Sequence, residues 1–158
     1  MQKRHLGHTD EELSVVGFGG IVVQDVTPGI AASHVSRAIS RGINYFDVAP
    51  TYGNAQKRLG PALEPYRDQV FLACKTTERS AEGAENELDR SLETLRTDHF
   101  DLYQFHGVSS AEEAQEILAP GGALEAFLDA RERGNIRNIG FSPHPEAAAV
   151  QLLRSFSF

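Results

Sequence analysis

The chain has 158 residues, with 41% hydrophobic content and a net charge of −7 from 22 acidic and 15 basic residues, enough for one domain with a real core. No basic stripe points to nucleic acid, and no apolar run approaches a membrane span or a signal-like core. The single cysteine, Cys74, excludes an internal disulfide and a Cys-x-x-Cys metal site, so a cytoplasmic protein is expected.

In chain order, the segments from Lys3 to Gly7 and from Glu12 to Val16 flank a polar turn and predict a β-hairpin. Gly17-Phe18-Gly19-Gly20 follows. It lacks the Gly-x-Gly-x-x-Gly spacing and no helix starts directly after it, which argues against a Rossmann fingerprint; these glycines let the backbone approach something closely. Thr27-Pro28 predicts a helix start and Gly42 its stop, with Ile30, Val35, Ala38 and Ile39 on one face.

The run from Ile43 to Val48 reads as a buried strand. At its carboxyl end stand Asp47 and, five residues on, Tyr52 in a loop bounded by proline and glycine. Asn54 is expected to cap a short helix carrying Leu59 and Leu63, which Pro61 should bend or shorten. The next apolar run, from Gln69, ends on Lys75. Ala81, Ala84, Leu88, Leu92 and Leu95 then recur at helical spacing behind a Ser80 cap.

A strand from His99 ends on His106, and Ser109 or Ser110 with Glu112 or Glu113 offers a capping box for the helix that follows. Ala119-Pro120-Gly121-Gly122 breaks that helix, and a second piece runs from Ala123 to Arg133. A strand from Ile136 ends on Ser142, Pro145 opens a last helix, and Phe156-Ser157-Phe158 reads as the start of another strand.

Strand starts near 43, 70, 100 and 136 thus alternate with helices, the pattern of a parallel sheet of βα units in a single domain over 1–158. Asp47, Lys75, His106 and Ser142 each fall at the carboxyl end of a different strand. In a βα barrel those ends form the face that carries the active site. His5, His8 and His34 lie in polar or helical contexts, and His99 and His144 at element starts, so no metal site is expected.

Phe46-Asp47-Val48-Ala49 with Tyr52-Gly53, the Asp-Lys-His order, the run from Thr97 to Gln104, the run from Ile136 to Ser142, and the stretch from Leu118 to Leu124 together resemble the aldo-keto reductase family. The resemblance implies a TIM-barrel (β/α)8 type of α/β fold, here an incomplete barrel of about five βα units with an N-terminal β-hairpin. It implies reduction of aldehydes and ketones with hydride from NADPH. It also implies roles: Tyr52 as general acid, Lys75 and Asp47 as the groups that tune it, and His106 as the group that orients the carbonyl. A lysine ammonium about 4 Å from a phenol, at an effective dielectric of about 20, favours phenolate by about 4 kcal/mol, which lowers its pKa by about three units.

For the cofactor, the resemblance implies Gly19, Gly20, Asp47, Tyr52 and Ser142. Pro143 follows Ser142 where many members have asparagine, which removes one side chain from the nicotinamide clamp. A full barrel takes about 250 residues, so NADPH binding by this chain alone is expected to be weak. Self-association or a missing carboxyl-terminal half is expected to complete it. The alternative is a truncated, non-catalytic relative or binding module.

Overall fold

A computed structural model describes residues 1–158. The chain divides into two compact units, Met1–Ala73 with Thr94–Thr97, and Cys74–Glu93 with Asp98–Phe158.

In the first unit the expected hairpin forms. Strands β1 (Lys3–His5) and β2 (Glu12–Ser14) pair antiparallel, with Lys3 opposite Ser14 and His5 opposite Glu12. Asn44 fastens this hairpin to the sheet: its Oδ1 accepts from the Ser14 N–H at 2.7 Å, and its Nδ2 donates to the Glu12 carbonyl at 2.8 Å.

Strand β3 (Phe18–Gly19) leads through a 3-10 turn, Gly20–Val23, to helix α1 (Pro28–Ser40). The Thr27 hydroxyl accepts from the Ile30 N–H, and Pro28 opens the helix as expected. The buried face differs from the expectation. Ala31, Val35 and Ala38 are buried, whereas Ile30 lies exposed one position off that stripe.

Strand β4 (Tyr45–Asp47) pairs parallel with β3 and with β5 (Phe71–Thr76), Gly19 facing Asp47 and Asp47 facing Ala73. Between β4 and β5 lie α2 (Ala55–Leu63) and a 3-10 stretch, Glu64–Gln69. Helix α2 continues through Pro61 for two residues and passes into the tighter form at Glu64, where Pro65 follows at once. Asn54 precedes α2 but does not cap it with its side chain. Its Oδ1 instead accepts from the Asp25 N–H at 2.8 Å, a tie across 29 residues that local spacing does not reveal.

Helix α3 (Ala81–Leu95) follows, with the Ser80 hydroxyl accepting from the Gly83 N–H. The second unit continues with β6 (Phe100–Val108), α4 (Ala111–Leu118), α5 (Ala123–Glu132), β7 (Ile136–Pro143) and α6 (Glu146–Ser155). Strands β6 and β7 pair parallel, from Phe100 opposite Ile136 to His106 opposite Ser142. The core of this unit is aromatic: the Phe105 ring stacks on Phe127 at 4.2 Å, and Tyr103 meets Phe127 at 4.9 Å.

The strand order is β3-β4-β5-β6-β7, so each strand neighbours the next in sequence, and each is followed by a helix. These are five βα units of the TIM-barrel type behind a hairpin. The fifth unit is not where the sequence suggested. It is β3 with α1, too short a strand to show a periodicity. The expected strand start at 156–158 is irregular chain, and its Phe158 ring packs edge-on against Phe141 at 4.6 Å. No helix is long and apolar enough to cross a membrane.

Candidate functional site

Asp47 is the last residue of β4, half-buried, where the following Val48 N–H still donates to the Ala73 carbonyl of β5 at 3.0 Å. Tyr52 sits, also half-buried, in a turn in which its N–H donates to the Ala49 carbonyl and its own carbonyl accepts from the Ala55 N–H. Both residues are therefore carried on backbone that is hydrogen-bonded on each side, rather than on a free loop.

Tyr45 joins them. Residues two apart on a strand share a face, and the Tyr45 hydroxyl lies 3.4 Å from Asp47 Oδ2. Its pKa is pushed up to about 12, first by burial, then by the Asp47 charge and hydrogen bond, and last by Tyr52. The phenol thus stays a donor toward Asp47 at every physiological pH.

Gly20, the first residue of the 3-10 turn after β3, backs this corner. A Cβ there would lie 2.8 Å from Val48 Cγ2 and 3.0 Å from the Asp47 carbonyl, so packing against β4 accounts for the glycine. At Gly19 a Cβ would meet no atom within 4 Å. Open space lies over that stretch of backbone.

In the second unit Lys75 is the penultimate residue of β5 and only 5% exposed, an unusual state for an ammonium and one that requires compensation. Glu87 of α3 holds the end of this strand. Its Oε2 accepts from the Thr76 hydroxyl at 2.6 Å and from the Thr77 N–H at 2.9 Å. The loop that leaves Lys75 is thereby pinned from its own following helix.

His106 and Ser142 face each other across β6 and β7, with Nδ1 and Oγ 3.0 Å apart. Just beyond them the register shifts, Val108 pairing with Pro143, which leaves Gly107 as a bulge residue at φ +64°. The bulged Gly107 N–H turns to the Ser142 oxygen at 3.3 Å. The His106 carbonyl accepts from Arg79 Nη2 at 2.7 Å, and Arg79 Nε is paired with Glu113 at 2.6 Å.

The first unit thus brings Asp47 and Tyr52 together around Tyr45, and the second joins His106 to Ser142. Four supporting residues escaped the sequence reading. Tyr45 carried a signal, its offset of two from Asp47. Glu113 was a capping candidate, and Ser110 does cap α4 by accepting from the Glu113 N–H. The Glu113 carboxylate, however, turns to the Ser109 N–H and hydroxyl and to Arg79. Arg79 and Glu87 gave no signal, because their partners lie 10 to 34 residues away.

The Aldo/keto reductase family model matches residues 16–156. The chain is 33% identical over 156 residues to an uncharacterized oxidoreductase, YqkF, of Bacillus subtilis, covering 90% of this chain and 49% of that one. It is 31% identical over 160 residues to an L-galactose dehydrogenase of Arabidopsis thaliana, covering 92% and 49%. Among solved structures it resembles the holo form of aldo-keto reductase AKR11C1 from Bacillus halodurans, with TM-score 0.87 and 28% identity, over 100% of this chain and 55% of that one. The chain spans about half the length of the curated relatives it matches.

Proposed function

Because the chain belongs to the aldo/keto reductase family, we propose that it carries the catalytic tetrad of an NADPH-dependent reductase of aldehydes and ketones. The observation that carries this reading is positional: Asp47, Lys75, His106 and Ser142 each stand at the carboxyl end of a separate strand, β4 to β7. That is the end where βα-barrel enzymes do their chemistry.

Tyr52 donates the proton that a carbonyl oxygen takes up as it becomes an alcohol. Lys75 and Asp47 are the groups that tune this acid. Tyr45, donating to Asp47 at 3.4 Å, keeps the carboxylate turned. His106 donates from Nε2 to the carbonyl oxygen, stabilising the charge that develops there. That requires Nδ1 to be the acceptor, which the Ser142 hydroxyl satisfies.

A nicotinamide cofactor supplies the hydride when bound. The residues fit such a group. With its proton given to His106 and one lone pair taken by the Gly107 N–H, the Ser142 oxygen keeps one lone pair for a carboxamide N–H. The open backbone at Gly19 allows close approach, while Asp47 and Tyr52 border the same corner.

The test is NADPH consumption with a panel of small aldehydes, sugars included, by the protein and by Tyr52→Phe. Loss of turnover in the variant with retained NADPH fluorescence enhancement supports the reading. Equal turnover by both refutes Tyr52 as the acid.

The edge strand β3 is flanked by Val15, Val16, Ile21 and Val22, each about half exposed. An unpaired edge beside apolar side chains is an association surface, and we propose that a second copy of the chain covers it.

A further inference from the structure

We propose that Arg79 is a positioning residue for His106, held in place by Glu113 and setting the hydrogen bond between His106 and Ser142. This deepens the reading of His106 as the group that orients the carbonyl, and rests on it.

His106 stands at the one place in β6 where the ladder to β7 slips. The bulge at Gly107 shifts the pairing by one residue. A bulge frees backbone groups and adds local twist, so the residue before it needs another anchor if its ring is to be aimed. Arg79 supplies that anchor, its Nη2 donating to the His106 carbonyl at 2.7 Å.

The guanidinium is itself held by a second partner, and the backbone behind it by the neighbouring turn. Its side chain is only 12% exposed, and Nε meets Glu113 Oε1 at 2.6 Å. Glu113 belongs to the first turn of α4 and is committed by the Ser109 hydroxyl and N–H. The Arg79 carbonyl accepts from the Ala123 N–H at 2.7 Å, and the Ala81 N–H donates to the Gly121 carbonyl at 2.8 Å. The loop before α3 is therefore clasped to the turn between α4 and α5. Arg79 reaches from this clasp to the back of His106.

An arginine is the residue this geometry demands. Two donors on one planar group reach a carboxylate and a carbonyl at once, whereas a lysine ammonium on a flexible stem does not hold both in a fixed fork. The ring on the other side of His106 is aimed at Ser142 at 3.0 Å. Loosening the carbonyl lets the backbone at the bulge move, and the Nδ1 contact lengthens with it. Arg79 does not touch the substrate; it acts through His106.

The experiment reads the imidazole itself, so its outcome is separate from whether the protein reduces a carbonyl. Imidazole nitrogen and ring-carbon NMR resonances of His106 are recorded across pH in the full chain and in R79Q, R79K and E113Q, alongside thermal melts. The expected result is a single Nε2–H tautomer in the wild-type chain. R79Q should give an averaged tautomer and a displaced titration midpoint, R79K an intermediate spectrum, and E113Q a smaller change of the same sign. If R79Q lowers Tm while the His106 resonances and midpoint stay at wild-type values, Arg79 is only a structural residue and the proposal fails. Should R79Q not fold, R79K and E113Q decide: unchanged His106 spectra in both overturn it, and displaced ones support it.

Discussion

His106 Nδ1 lies 3.0 Å from the Ser142 hydroxyl, and the two residues are register partners on β6 and β7. One hydroxyl thus serves both the His106 ring and the Gly107 N–H, while a single lone pair remains for anything else. Ser142→Ala removes the proton that keeps Nδ1 an acceptor. The loss of one neutral hydrogen bond is worth about 1 kcal/mol, or about fivefold in rate. A decrease of about that size in kcat/KM is expected, together with weaker cofactor binding. Steady-state kinetics beside a fluorescence titration checks both, and unchanged values in each count against the shared role.

Glu113 sets an acid limit. Burial works against its charge, but the Ser109 hydroxyl and N–H and the Arg79 guanidinium hold its carboxyl down at about 2, against an ordinary 4.5. Between those values the unfolded chain binds the extra proton. The contribution to stability is therefore whole above pH 4.5 and is lost as pH falls toward 2. Glu113→Gln should be less stable than wild type at pH 7, with the gap closing on acidification. Urea melts at pH 7, 5, 4 and 3 measure it; a gap that stays constant means these bonds do not form.

Tyr45 has the opposite sign. Its phenol is raised to about 12 from 10.0, chiefly by burial and then by Asp47, so its contribution is whole below pH 10 and lost as pH rises toward 12. Tyr45→Phe should cost about 0.5–1 kcal/mol at neutral pH, the scale of a long hydrogen bond. The difference from wild type should shrink above pH 10. Chemical denaturation across that range tests the sign.

Gly60 tests the packing of the first unit. A Cβ at this position of α2 would stand 2.5 Å from the Thr94 carbonyl oxygen and 2.8 Å from Leu95 Cα. These are backbone atoms, so the clash cannot be relieved by a rotamer change. Gly60→Ala should destabilise by about 1–3 kcal/mol, despite alanine's better helix propensity. A Tm equal to or above that of wild type would contradict this packing.

Self-association is expected to show as a light-scattering mass above 17.3 kDa that rises with protein concentration. Replacing Val16 and Val22 by lysine should lower it. A monodisperse monomer at every concentration would mean that no second copy covers β3.

Much of this was legible in the sequence because strands and helices leave local signals. The apolar runs that carry Lys75 and His106 form strands as their composition implies, and the Ser80 and Thr27 caps follow from capping chemistry. What stayed hidden was non-local. A two-residue strand such as β3 has no period, so only its pairing with β4 identifies it. Asn54 looks like any cap until Asp25 is seen beside it. Arg79 looks like a loop arginine until the chain folds, when it meets residues 27 and 34 positions away.

The clasp between the loop before α3 and the turn at 119–122 has a consequence for tolerance to insertion. That turn is exposed at Pro120 and Gly121, the sort of surface where extra residues are usually accepted. Here Gly121 and Ala123 are both bonded to the facing loop, and a side chain at Gly122 would run into the Glu116, Ile117 and Ala119 carbonyls. Lengthening it by even one residue would break the register of the clasp and shift Arg79. The hairpin turn between β1 and β2 is closed within itself, by the Leu6 N–H to the Glu11 carbonyl and the Thr9 N–H to the Leu6 carbonyl. A tag or reporter loop spliced there should leave the chain folded, whereas the same graft at 120–121 should be felt at a histidine in a different element.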